Sequence, residues 1–283
     1  MNFAKPELLA PAGDYTRFRY AVEYGADAVY VGGEEFSLRT AVADLARAVD
    51  YAHRRNVRVY VACNTVPRND EIERFSDYLQ FLKKIEVDAL IVSDLGLFMM
   101  IRDECPEMEL HVSTQANISN YADCLAWHRL GAKRVVLARE LTFDEITQIR
   151  LRTPGSLEIE AFVHGAMCVS HSGRCLLSNF MTGRDANRGN CAQACRWKYN
   201  LVEEKRPGQY MPVEETDTGT FIFNSKDLCM IDHVPDLISA GITSFKIEGR
   251  VKTEYYVACV VAAYRRAIDA CFSDLGEYER ILP

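Results

Sequence analysis

The sequence predicts an α/β fold of the (β/α)8, TIM-barrel type, with a Cys-rich insertion after the seventh strand. Three observations predict it. Eight short, nearly continuous apolar runs recur along the chain, as parallel strands covered on both faces require. Helical stretches separate them, so strand and helix alternate as in βα units. The rhythm breaks once, after the seventh run. An open doubly wound sheet would use the same alternation. No G-x-G-x-x-G follows the first strand, which counts against its dinucleotide-binding form.

The strands are expected at 7–10, 28–32, 57–63, 89–93, 110–114, 134–138, 157–163 and 244–248. Helices are expected at 15–23, 43–54, 71–85, 95–104, 121–130, 143–151 and 254–270. The sixth helix has the clearest start: Thr142 can cap it, and Glu145 is the capping-box partner. The insertion spans 166–221. Its first half is rich in cysteine and arginine; its second half, 203–219, is polar with glycine and proline and is expected as an exposed hairpin or loop.

At 283 residues the chain suits one large α/β domain better than two small ones, so 1–283 is read as a single barrel without a separate C-terminal domain. Hydrophobic residues at 48% are enough for a full core and exclude a disordered chain. A net charge of -7 excludes a globally basic nucleic-acid binder, so any RNA contact must come from a local patch. The start, MNFAKPELLAPAG, lacks the basic and apolar regions of a secretory signal, and no apolar stretch reaches the roughly 20 residues of a spanning helix. A cytoplasmic protein without membrane contact is expected. Its ten cysteines are then mostly reduced.

Four of those cysteines stand apart. Cys168 and Cys175 bracket CVSHSGRC, and Cys191 and Cys195 bracket CAQAC. Thiolates on short loops can converge on one soft metal site. Gly173 and Gly189 would let the backbone wrap closely around it. Three readings fit the spacing: an iron–sulfur cluster, which tolerates irregular spacing; zinc, for which the first pair is too wide; and free buried thiols. Cys229, in NSKDLC, could replace one of the four as ligand. Arg174, Arg184, Arg188, Arg196 and Lys198 surround the pairs against only Asp185. They suit phosphate binding, or equally the capping of local carbonyls.

Polar residues at strand C-termini are the natural catalytic candidates in a barrel. They are Asn64, Asp94, Gln115, Asn117, Arg139, Glu140, His164, Lys246, Glu248 and Arg250. His164 could act as acid or base, or bond a cluster sulfur. Lys246 and Glu248 lie on one side of a strand and could pair or orient an anion. Arg139 and Arg250 suit phosphate or carboxylate, and Gln115 and Asn117 the substrate.

The stretch EAFVHGAMCVSHSGRCLLS resembles the signature of the collagenase-like U-32 peptidase family, with Glu160, Phe162, Gly165, Cys168, Gly173, Cys175 and Ser178 in place. PELLAPAG, GADAVYVG, HVSTQAN, CAQACRW, NSKDL and SFKIEGR extend the likeness over nearly the whole chain. Ser37–Arg39 and KIEGR most resemble the branch that hydroxylates the tRNA wobble uridine. The resemblance implies an RNA hydroxylase forming 5-hydroxyuridine, tRNA as partner, prephenate as co-substrate, and a 4Fe-4S cluster on Cys168, Cys175, Cys191 and Cys195. Many such relatives continue into a further C-terminal domain, whereas this chain stops at Pro283. A cluster-bearing partner subunit of a longer homologue is therefore an alternative. The other alternative is the peptidase of the family's name. No H-E-x-x-H or G-x-S-x-G occurs; a thiol protease would have to use Cys168 with His171, or Cys175 with His164.

Overall fold

The computed structural model describes all residues except 1–3, 34–35, 38–41, 43, 169, 198, 203, 213–214, 217–218, 221–226, 274 and 282–283. Leu38, Arg39, Lys198, Asn224, Ser225 and Lys226, named above, therefore lie outside the described residues, as do parts of the 203–219 segment.

Eight parallel strands form the barrel: β1 (Glu7–Ala12), β2 (Ala28–Gly32), β3 (Arg58–Cys63), β4 (Ala89–Val92), β5 (Glu109–Val112), β6 (Arg134–Val136), β7 (Glu158–Gly165) and β8 (Ser244–Ile247). Each pairs with the next, and β8 pairs with β1, which closes the ring. Closure, rather than an open sheet, follows from β7 bonding both β6 and β8.

Helices α1 (Tyr15–Glu23), α2 (Leu45–His53), α3 (Asn69–Lys84), α4 (Leu95–Glu104), α5 (Tyr121–Leu130) and α6 (Phe143–Leu151) follow the first six strands in turn. Short polar caps start them where each strand ends. Asp14, Asp44, Asp94 and Asn120 each accept a first-turn backbone N–H. Thr142 and Glu145 form the expected reciprocal box on α6. Asp94, a catalytic candidate by position, is thus the cap of α4. The chain between β7 and β8 holds short turns, α7 (Leu177–Thr182) and α8 (Val234–Ser239); α9 (Glu254–Ser273) and α10 (Leu275–Ile281) follow β8. Asn200–Leu201 pairs antiparallel with Met211–Pro212, a hairpin whose turn residues 204–210 are exposed. Leu228–Cys229 then adds antiparallel to the end of β7. No helix among the described residues is long and apolar enough to cross a membrane.

The main apolar core lies between the strands and the helices. The barrel interior is different. One side is apolar, built from Leu9, Ala28, Tyr30, Tyr60, Ala89 and Ile91. The other is ionic. Arg134, fully buried, reaches Glu7 at 2.6 Å, Glu158 at 2.6 Å and Glu160 at 3.1 Å. Glu160 also accepts from Lys246 Nζ at 2.7 Å. Tyr60 and Ser244 hydroxyls donate to Glu7, which also pairs with Arg58. Alternation along the strands places these charges inward, and each buried charge there has a partner.

This network sets a pH dependence. Burial alone would raise the Glu7 carboxyl, but Arg134, Arg58 and the hydrogen bonds outweigh it and bring it down to about 2. The Glu160 carboxyl is likewise lowered, with Lys246 and Arg134 overcoming its burial. A depressed carboxylate contributes stability that is complete above its unfolded value and is lost as pH falls toward its folded one. The contribution of these two carboxylates should be complete down to about pH 5, and chemical denaturation should show a further loss of roughly 3 kcal/mol or more between pH 5 and pH 2. A flat profile across pH 5 to 2.5 contradicts the network.

Candidate functional site

A cavity of about 280 Å³ opens at the C-terminal ends of the strands. Its floor is the top of the barrel interior. Tyr30, Ile91 and Phe162 form apolar walls, and Lys246 stands over the Tyr30 ring at 4.5 Å and the Phe162 ring at 5.3 Å. Asn64, Ser113 and Gln115 line it from β3 and β5; Arg139, Glu248 and Arg250 line it from β6 and β8. The segment after β7 closes one side with Cys168, Cys175, Cys191 and Cys195, so all four sequence-predicted ligands face one space.

The strand ends aim these groups. Gly165 turns the chain out of β7 at φ +108°, and a Cβ there would sit 2.6 Å from the Glu248 carbonyl oxygen. Only glycine lets β7 and β8 approach this closely before the cysteine segment departs. Gly173 also has positive φ, but nothing lies within 4 Å of where its Cβ would be. It serves a left-handed turn on the cysteine segment. Asn187 pins Cys175 from both sides, accepting its N–H at 3.2 Å and donating to its carbonyl at 3.0 Å.

All ten cysteines are free. Cys191 Sγ accepts the Gln193 backbone N–H at 3.4 Å, and Cys195 Sγ accepts from Arg196 at 3.6 Å. Burial, then the adjacent Cys175 and Cys195, push the Cys168 thiol up. Donors at sulfur and several thiols on one cavity suit a thiolate-ligated group. Among the described residues, no three His, Cys, Asp or Glu side chains converge on a point that would hold a single ion. Cys229 is exposed, pairs beside His164 at the β7 edge and is absent from the cavity wall.

Several predicted residues stand elsewhere. The register of β8 shifts between Lys246 and Ile247, and His164 pairs with Ile247. Its ring packs against Tyr256 and Tyr264 of α9, with Nδ1 3.5 Å from the Tyr264 hydroxyl, and does not line the cavity. Burial lowers its pKa. Asn117 ends the turn after β5 in the left-handed conformation, off the cavity wall. Arg188 is clamped by Glu71 of α3 at 2.8 and 2.9 Å. Arg174 Nε donates to the Gln115 carbonyl, and Arg196 to that of Met167. Much of the arginine patch thus caps local carbonyls. Lys246 and Glu248 do share the cavity, but the partner of Lys246 is Glu160, a residue whose role as counter-ion the sequence did not disclose.

The Arg188–Glu71 pair, with Val66 N–H donating to the Asn187 carbonyl, ties the cysteine segment to the barrel's helical shell. Arg188→Ala should cost about 1 kcal/mol or less overall, because the pair is partly exposed. Hydrogen exchange should nevertheless quicken across 185–196 while the strands keep their protection. Unchanged exchange there contradicts the clamp.

These features define a class: a closed (β/α)8 barrel with four free thiols along one side of its mouth and a buried lysine–glutamate pair beneath. The chain belongs to Peptidase family U32, which it matches over residues 13–281. It is 41% identical to tRNA hydroxylation protein P of Escherichia coli (strain K12), over 94% of this chain and 68% of that protein. It is 39% identical to 23S rRNA 5-hydroxycytidine C2501 synthase of the same organism, over 97% of this chain and 41% of that one. The chain thus spans about two thirds of the first relative's length and less than half of the second's. The solved structure of the U32 peptidase Mk0906 is similar at TM-score 0.57 and 17% identity, covering 88% of this chain and 94% of that one, which shows a shared fold.

Proposed function

We propose that this protein is an RNA-modifying hydroxylase that forms 5-hydroxyuridine at the tRNA wobble position in a prephenate-linked reaction. Cys168, Cys175, Cys191 and Cys195 hold a 4Fe-4S cluster in this reading. The observation that carries it is the presence of four free thiols in the wall of one cavity that also holds Lys246, Arg139 and Arg250. Relatives named for tRNA and rRNA hydroxylation support RNA as the substrate class. The cluster supplies one-electron transfer when bound.

The chain's own residues do the rest. Arg139 and Arg250 hold the carboxylates of the co-substrate, for which guanidinium geometry is suited. Glu160 fixes the Lys246 ammonium at the floor. Phe162 and Tyr30 exclude water around the reacting ring, where electrostatic contacts then count for more. The reaction takes place in the cytoplasm, where thiols stay reduced. A peptidase has less support. No histidine among the described residues hydrogen-bonds a cysteine sulfur; His171 faces Glu140 at 3.9 Å instead.

Protein purified without oxygen should be brown and contain about four irons per chain. The tRNA of a strain lacking the protein and its paralogues should lose 5-hydroxyuridine by mass spectrometry. Colourless protein with one zinc overturns the cluster, and unchanged 5-hydroxyuridine overturns the hydroxylase.

A further inference from the structure

Two amide side chains in the cavity wall each have an end without a partner. Asn64 Oδ1 and Gln115 Oε1 are buried and make no hydrogen bond among the described residues. Gln115 is only 6% exposed. The two are neighbours: Asn64 Nδ2 donates to Ser113 Oγ at 3.4 Å, and the Gln115 backbone N–H donates to the same oxygen at 3.5 Å. Turning either amide over still leaves one of its ends unpaired, so the deficit does not depend on which end is oxygen. Buried polar groups without partners are rare in native interiors, and two on one cavity wall point to a ligand that bonds them.

The cavity limits that ligand. At about 280 Å³ it admits ring-sized groups and not a strand. Its walls include the rings of Tyr30 and Phe162. A flat heterocycle with alternating C=O and N–H groups along one edge fits both the apolar walls and the amides. A nucleobase can reach such a site only by leaving its stack.

We infer that Asn64 and Gln115 read the Watson–Crick edge of one uracil extruded from RNA into the barrel mouth. Asn64, anchored through Nδ2 on Ser113, accepts the ring N3–H. Gln115, whose amide is unanchored, turns to donate to a neighbouring ring carbonyl. This deepens the hydroxylase reading and rests on it.

The test is binding of anaerobically purified full-length protein to three RNA hairpins at one fixed salt concentration. The first has one unpaired uridine in its loop, the second 3-methyluridine at that position, and the third is otherwise matched but has no unpaired pyrimidine. Methylation removes the N3–H donor and should weaken binding about tenfold or more, because the buried Asn64 acceptor is left unpaired. Asn64→Leu should erase the difference between the first two hairpins, whereas Asn64→Asp, which keeps an acceptor, retains it. Equal binding of uridine and 3-methyluridine hairpins by the unaltered protein overturns the inference and leaves the RNA reading standing. Equal binding of all three likewise overturns the inference and leaves RNA binding itself standing, whereas failure to bind any of them overturns the inference and the RNA reading with it. The comparison within the unaltered protein needs no variant to fold.

Discussion

Arg134→Met should destabilise the protein by about 3–5 kcal/mol, the cost of breaking a buried ion network at one partner. For a chain of this size that corresponds to a fall in melting temperature on the order of 10 °C. The reason lies in what is left behind. Glu7 and Glu160 are both buried, and both face the Arg134 guanidinium, at 2.6 and 3.1 Å. Without it the only counter-ion left to Glu7 is the half-exposed Arg58, and Glu160 keeps Lys246. The double variant Glu7→Gln, Arg134→Met removes one uncompensated charge and should recover part of the loss, a coupling that a double-mutant cycle measures. Simple additivity of the two changes would mean that these side chains do not act as a unit.

Cys168→Ser, Cys175→Ser, Cys191→Ser and Cys195→Ser should each abolish stable iron binding, while Cys229→Ser should leave it intact. Outer-shell partners of metal sites already cost roughly 10–100-fold in affinity or activity when lost, so removal of a ligand should lie at or beyond the top of that range. The contrast rests on position. The four thiols line one cavity, whereas Cys229 is exposed at the outer edge of β7. Iron and sulfide analysis of the five variants, with 5-hydroxyuridine in tRNA as a parallel readout, checks it. Iron lost on Cys229→Ser and kept on Cys195→Ser would reassign the fourth ligand.

The eight strands were legible because parallel strands buried on both faces are apolar almost throughout, and Ala28–Gly32 and Ala89–Val92 read that way without ambiguity. The short helix Val234–Ser239 was not, since six residues give too little periodicity to register. The thiol quartet could be found because all four members lie in one stretch of loop. The interior charges could not be paired from sequence. Lys246 and Glu248 share a strand face, which suggests that they meet, yet the partner of Lys246 is Glu160 on the adjacent strand. His164 illustrates the same limit: one extra residue in β7, at Val163, goes with a ring packed on α9 rather than in the cavity. Arg188 carried a local signal for anion binding, but its counter-ion, Glu71, lies far away in sequence.

The four thiols enter the mouth on a single excursion of the chain, which leaves β7 at Gly165 and is fastened to the shell by Arg188 and Asn187. The barrel below it has its own closed set of strand pairings and its own internal counter-ions. Scaffold and thiol-bearing segment are therefore held by largely separate sets of contacts. Exchanging that segment should therefore leave the Arg134 network beneath as it was. Chimeras that swap only the chain between Gly165 and Trp197 among homologous barrels should keep the melting temperature of the host and acquire the cofactor content of the donor.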